Sequence, residues 1–184
     1  TNNKIINICM ASRLLHDKGV FDYISAARKI KEKGIKAIFY LAGDLDLQNS
    51  KSLSENDLYK IKIEKIVKYI GYQKDIAKLY AKSNIICLPS FYGEGLPKSL
   101  IEAAAASRAI VTTNVPGCRD AVISELSGLI IPPKNSKKLA DAIEFLIKNP
   151  DIRISMGKAG RRLAEKKFSI QTVIKKHILI YDNL

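Results

Sequence analysis

Ile85-Ile86-Cys87-Leu88-Pro89-Ser90-Phe91-Tyr92-Gly93-Glu94-Gly95-Leu96-Pro97-Lys98-Ser99-Leu100-Ile101-Glu102-Ala103 is the stretch on which the fold turns. Its first four residues are apolar on both faces, as in a strand covered above and below. A glycine-bearing loop follows, and Leu96, Leu100, Ile101, Ala104 and Ala105 then place one apolar stripe on a helix that begins near Pro97. Strand, loop and helix in that order make one unit of an alternating α/β chain.

The same succession recurs on either side. Short runs rich in Ile and Val lie at Ile5 to Ala11, Ala37 to Leu41, Ile66 to Ile70, Ala109 to Thr113 and Leu129 to Ile131. Helical patterns separate them: Phe21 to Lys33 ends at Gly34, and Asp75 is placed to cap Ile76 to Lys82. The alternation predicts a Rossmann-like three-layer α/β/α domain with a parallel sheet of about six strands. A helical tail follows: Ser136 to Lys148, Pro150 to Phe168 with Asn149 as cap, and Ser169 to Asn183. Gly43 to Asp57 reads as one long polar loop, and no repeat or linker divides residues 1–184, so a single domain is expected.

Composition narrows the function. An apolar fraction of 47% with 27% charged residues is that of a globular protein, and no apolar run is long enough to span a bilayer. No secretory pattern opens the chain, so a cytoplasmic location is expected. Cys9, Cys87 and Cys118 lack Cys-x-x-Cys spacing and read as reduced, structural thiols. The net charge of +13 attracts phosphates, whether of nucleotides, nucleic acid or anionic lipid.

In such sheets ligands bind beyond the carboxyl ends of the strands. The loop after the first strand carries Arg13 and Lys18, two cations before a helix N-terminus, which suit a diphosphate or else form a solvated basic loop. In the loop after the fourth strand, Gly93 and Gly95 let a ligand approach the backbone, and amides at the helix start face an anion. Beside a phosphate, Glu94 is best matched by a neutral polyol, which points to a sugar. Glu102 is able to accept from ribose hydroxyls or to pair with Lys98 at i, i+4.

Other signals are weaker. Asp44-Leu45-Asp46 spells a metal-binding triplet, but Arg13 and Lys18 already supply cations. His16 and His177 have no second ligand at metal-binding spacing. Lys60, Lys62, Lys65 and Lys68, with Arg161, Arg162, Lys166 and Lys167, suggest a nucleic-acid stripe, an anionic-membrane contact or solvated helix faces. They are not interleaved with aromatics along the sequence, and no nucleic-acid recognition motif is present. A dehydrogenase is disfavoured, because no Gly-x-Gly-x-x-Gly follows the first strand.

The segment Glu94-Gly95-Leu96-Pro97 to Glu102-Ala103 resembles the E-x7-E signature of family 4 of the retaining glycosyltransferases, also called glycosyl transferases group 1. Arg13-Leu14 to Lys18-Gly19 resembles that family's phosphate-binding loop. Ala42-Gly43-Asp44, Gly71-Tyr72-Gln73 with Asp75, Asn114 to Asp120 and Gly128 to Pro133 extend the likeness over Ile5 to Pro133. The resemblance implies the second, donor-binding domain of a two-domain GT-B enzyme whose acceptor-binding N-terminal domain is not in this chain, so that the chain alone transfers little sugar. It implies Arg13, Lys18 and Glu94 as the catalytic set. Arg13 and Lys18 would hold the donor diphosphate and Glu94 the transferred sugar. Donor binding would fall to Tyr72 at the base, Gly95, Leu96, Pro97 and Lys98 at the phosphate, and Glu102 at the ribose. It further implies a UDP-linked hexose or N-acetylhexosamine donor, retention, no metal or other cofactor, and a lipid-linked or saccharide acceptor in bacterial surface polysaccharide assembly. Peripheral contact with an anionic membrane is compatible with it, and nucleic acid is not an expected partner. A sugar-rearranging enzyme of the same fold, an epimerase, is the alternative.

Overall fold

A computed structural model describes residues 5–93 and 95–181, with Lys176 described by its backbone alone. The strands are β1 (Ile6–Ala11), β2 (Ala37–Ala42), β3 (Lys68–Gly71), β4 (Ile85–Leu88), β5 (Ala109–Thr113) and β6 (Gly128–Ile131). All pair in parallel, in the order β3-β2-β1-β4-β5-β6. The expected Rossmann-like sheet of six strands is therefore present. Its strand order reverses between β1 and β4, and that switch point opens a crevice at the carboxyl ends of the strands.

Helices α1 (Val20–Glu32), α2 (Glu55–Glu64), α3 (Ile76–Ala81), α4 (Lys98–Ala105), α5 (Ser136–Lys148), α6 (Pro150–Leu163) and α7 (Ile170–Tyr181) connect and extend the sheet. Right-handed crossovers put α1 and α2 on one face and α3 and α4 on the other. The tail closes both faces, with α5 packing on α1 and α6 on α4. Strands β1, β4 and β5 are buried almost throughout, which accounts for their uninterrupted apolar sequences. Tyr23 anchors α1 to the sheet: its ring is fully buried, and its hydroxyl contacts the carbonyls of Ile8 at 3.1 Å and Tyr40 at 3.0 Å. Burial raises the Tyr23 pKa well above that of an ordinary phenol.

Several boundaries differ from the sequence reading. The polar loop expected to reach Asp57 gives way at Ser54 to α2, which a capping box starts: the Ser54 hydroxyl accepts from the Asp57 amide at 3.1 Å, while Asp57 accepts from the Ser54 amide at 3.0 Å. In α2 only Ile61 is buried and Tyr59 and Ile63 face solvent, so no single apolar stripe announces the helix. β3 starts at Lys68 rather than Ile66, and its register shifts opposite Leu41 and Ala42. Asn149 holds the N-cap position of α6, its carbonyl accepting from the Arg153 amide at 3.0 Å, but its side-chain amide donates to the Phe145 carbonyl at 2.8 Å and closes α5 instead of capping α6, while Pro150 occupies the first turn of α6. A π-helical turn, Ala164–Phe168, ends the run expected to be one helix. The last helix is followed as far as Tyr181, the rest of that expectation lying outside the described residues.

Candidate functional site

The loops after β1, β2 and β4 are locked together before any ligand is considered. Gly19, with φ +77°, sits so close to the β4 loop that a Cβ would fall 2.1 Å from the Pro89 carbonyl oxygen. The Ser90 hydroxyl donates to the Asp17 carbonyl at 3.0 Å, and the Phe91 amide donates to the same oxygen at 2.9 Å. The Thr113 hydroxyl, from the end of β5, donates to the Ser90 carbonyl. On the other side, a Cβ at Gly43 would lie 1.8 Å from the Ser12 carbonyl oxygen. The Leu14 amide donates to Asp44 and the Leu53 amide to Leu14, at 2.9 and 2.8 Å. The loop bearing Arg13 and Lys18 is thus clamped between its two neighbours, beyond the switch point.

A cleft of about 1020 Å³ opens there. Of the residues singled out from the sequence, it gathers Arg13, Tyr72, Lys98 and Glu102. Arg13 also borders an adjoining hollow of about 340 Å³ that contains Lys18, Gly95 and Gly93, so the two spaces share one guanidinium. A Cβ at Gly95 would meet nothing within 4 Å. Leu96 is exposed, and Pro97 is buried, its carbonyl accepting from the Leu100 amide at 3.0 Å to begin α4. The first-turn amides of α4 point out of its N-terminus toward this region, as helix geometry requires. Glu94 lies outside the described residues.

Partners of the charged groups were mostly illegible in the sequence. Arg13 donates to Asp46 at 2.7 Å, in a pair open to solvent. Asp44 accepts from the Tyr69 hydroxyl at 2.8 Å, and burial, with this hydrogen bond, pushes that phenol up to about 12. Both acidic groups of the Asp44-Leu45-Asp46 triplet are thereby engaged with side chains. Glu102 lies 3.6 Å from Lys98, the i, i+4 pairing that its spacing allowed. Asp75 caps α3 as expected, accepting from the Lys78 amide at 2.9 Å. Lys51, unremarked in the sequence, pairs with Asp17 at 3.0 Å and stands 3.9 Å over the Tyr92 ring. Two hydroxyls in the cleft, Ser12 Oγ and the Tyr80 phenol, are buried with no hydrogen-bond partner among the described residues.

Elsewhere, His16 rests against Phe21 with ring centroids 5.5 Å apart. Lys62 and Lys68 do have aromatic neighbours in space, Tyr69 at 5.1 Å and Tyr40 at 5.8 Å, although none alternates with them in sequence. Cys9, Cys87 and Cys118 are buried thiols, and burial raises Cys9 to about 12 and Cys87 well above its ordinary value. Among the described residues no helix is long and apolar enough to cross a membrane.

Comparison with known proteins adds the following. Residues 1–163 match the family model described as Glycosyl transferases group 1. The capsular polysaccharide biosynthesis glycosyltransferase CapM of Staphylococcus aureus is 30% identical over 184 residues, covering 98% of this chain and 48% of the relative. N,N'-diacetylbacillosaminyl-diphospho-undecaprenol alpha-1,3-N-acetylgalactosaminyltransferase of Campylobacter jejuni is 30% identical over 177 residues, covering 96% of this chain and 44% of its own length. The chain therefore spans about half the length of the curated relatives it matches. In fold it resembles HepE of Anabaena, solved in complex with UDP, at TM-score 0.86 and 20% identity over 98% of this chain and 49% of that one. It also resembles the C-terminal domain of the group 1 protein LpcC from Francisella tularensis, at TM-score 0.72 and 22% identity over 90% of this chain and 87% of that one.

Proposed function

This chain belongs to the glycosyl transferases group 1 family, and from that premise we propose that it is the donor-binding domain of a sugar transferase that uses a nucleoside diphosphate sugar, with UDP as the nucleotide. The observation that carries the reading is the gathering of Arg13, Tyr72, Lys98 and Glu102 around one cleft beyond the switch point, with Arg13 joining it to the hollow that holds Lys18. An aromatic ring, a carboxylate and a group of cations answer the three chemical parts of a nucleoside diphosphate: base, ribose diol and phosphates.

In this reading Tyr72 meets the base and Glu102 the ribose hydroxyls. The α4 N-terminus, from Gly95 through Leu96 and Pro97 to Lys98, meets the phosphates. Glu94 holds hydroxyls of the transferred hexose or N-acetylhexosamine. When the bond between anomeric carbon and diphosphate breaks, its electron pair leaves with the nucleoside diphosphate, and Arg13 and Lys18 stabilise that charge, so no resident metal is required. The acceptor, lipid-linked or saccharide, binds a second domain not included in this chain, and transfer proceeds with retention. Surface polysaccharide assembly is the setting, in the cytoplasm and against an anionic membrane face, to which the exposed lysines of α2 are suited. The names of the Staphylococcus and Campylobacter relatives support that setting.

Calorimetric titration with UDP, GDP and a UDP-sugar, with and without EDTA, tests the reading. Saturable binding that prefers UDP, persists in EDTA and weakens in Arg13→Ala and Glu102→Ala is expected. A wild-type chain indifferent to all three ligands at millimolar concentration would overturn it.

A further inference from the structure

Tyr80, on α3, has a ring that is fully buried at the floor of the cleft, yet its hydroxyl has no hydrogen-bond partner among the described residues. A buried hydroxyl without a partner is destabilising, so phenylalanine would fit an inert position better. Glu102 lines the same cleft, and its charge adds to the larger effects of burial and Cys9 that raise the phenol's pKa. Glu102 itself is loosely held: its distance of 3.6 Å to Lys98 exceeds a normal hydrogen bond, and the Lys98 side chain is 88% exposed.

We propose that Tyr80 is a positioning residue, whose hydroxyl donates to the Glu102 carboxylate when that group turns from Lys98 into the cleft. With one carboxylate oxygen fixed by the phenol, the other faces the vicinal hydroxyls of the ligand's ribose. A hydrogen bond to a carboxylate is stronger than one between neutral groups. The Tyr80 hydroxyl, without a partner among the described residues, is thus held ready to donate to Glu102. This inference rests on the donor-site reading above and adds to it a residue that does not itself touch the nucleotide.

The test is a double-mutant cycle with Tyr80→Phe and Glu102→Gln, read by UDP titration and by thermal melting with and without UDP. Tyr80→Phe keeps the ring, so the unliganded melting temperature should stay level or rise, while UDP affinity falls about tenfold. In the Glu102→Gln background the same change should alter affinity by less than about twofold. Equal UDP affinity in wild type and Tyr80→Phe would refute the proposal. So would equal losses in both backgrounds, or a lowered unliganded melting temperature that accounts for the lost binding. A wild type that binds no nucleotide would instead remove the donor-site reading, and this inference with it.

Discussion

The guanidinium of Arg13 donates to the Asp46 carboxylate at 2.7 Å, at the point where the cleft meets the hollow holding Lys18. Of the five N–H donors on that guanidinium, the others make no bond among the described residues and are open to phosphate, but the Asp46 charge stands where phosphate charge would arrive. Asp46→Asn should therefore strengthen UDP binding, by about three- to tenfold at low salt, with the advantage shrinking as ionic strength rises. Arg13→Ala should weaken it by about tenfold or more. Titrations at two salt concentrations check both, and weaker binding by Asp46→Asn would mean that the aspartate aims Arg13 rather than competing for it.

Gly43 is the position least able to carry a side chain, because a Cβ there would sit 1.8 Å from the Ser12 carbonyl oxygen at a φ of +132°. Gly43→Ala should cost more than about 2 kcal/mol in denaturant unfolding, through the clash and the backbone conformation together. Gly95→Ala, with open space around it, should leave stability within about 0.5 kcal/mol and affect ligand binding alone. A stable Gly43→Ala would show that the β1 and β2 loops are not rigidly joined.

Asp57 has its carboxyl held below its ordinary pKa, chiefly by hydrogen bonds from the Ser54 hydroxyl and backbone amide. Since the folded value is the lower one, the stabilisation is present above the unfolded carboxyl range of about 4 and is lost as pH falls through the folded value. The group is only partly buried, so Asp57→Asn should cost less than about 1 kcal/mol at neutral pH. That gap should shrink as pH falls below the unfolded carboxyl range of about 4, and urea unfolding at neutral and acid pH measures it.

How much of this was legible in the sequence follows from where each interaction is made. The strands at β1, β4 and β5 are buried on both faces, and their apolar runs declared them within a residue. α2 was hidden because Tyr59 and Ile63 point to solvent, so its one sure signal was the local Ser54–Asp57 cap. Arg13, Tyr72, Lys98 and Glu102 were picked out from loop position and motif, and the fold brings them to one cleft. Tyr80 was not, and Asp46 was noticed only as part of a possible metal triplet, because their significance depends on neighbours 33 residues away in one case and on another helix in the other. Contacts between loops carry no periodicity.

Cys9 and Cys87 are buried thiols whose pKa burial raises, to about 12 for Cys9, and Cys118 is equally inaccessible. Thiolate is the reactive form, so the native protein should react with Ellman's reagent only at the rate of its opening, and release three equivalents once denatured. A fast equivalent in the native protein would contradict the packing of β1 or β4.

Tyr72 follows β3 and is 71% exposed on the rim of the cleft, so its ring contributes little to the empty fold. Exposure alone is ordinary, as at Tyr59, but at the rim of this cleft the open ring face is placed to take a flat partner such as a pyrimidine. Stacking a base on an aromatic side chain contributes about 1–3 kcal/mol, or roughly tenfold or more in affinity. Tyr72→Ala should lose that affinity for UDP without a change in unliganded melting temperature, whereas Tyr72→Phe should keep most of it, since stacking needs the ring rather than the hydroxyl. Inorganic diphosphate, which has no base, should bind wild type and Tyr72→Ala alike. If Tyr72→Ala weakens diphosphate as much as UDP, the ring acts on the shape of the loop. If it weakens neither, the base lies elsewhere in the cleft.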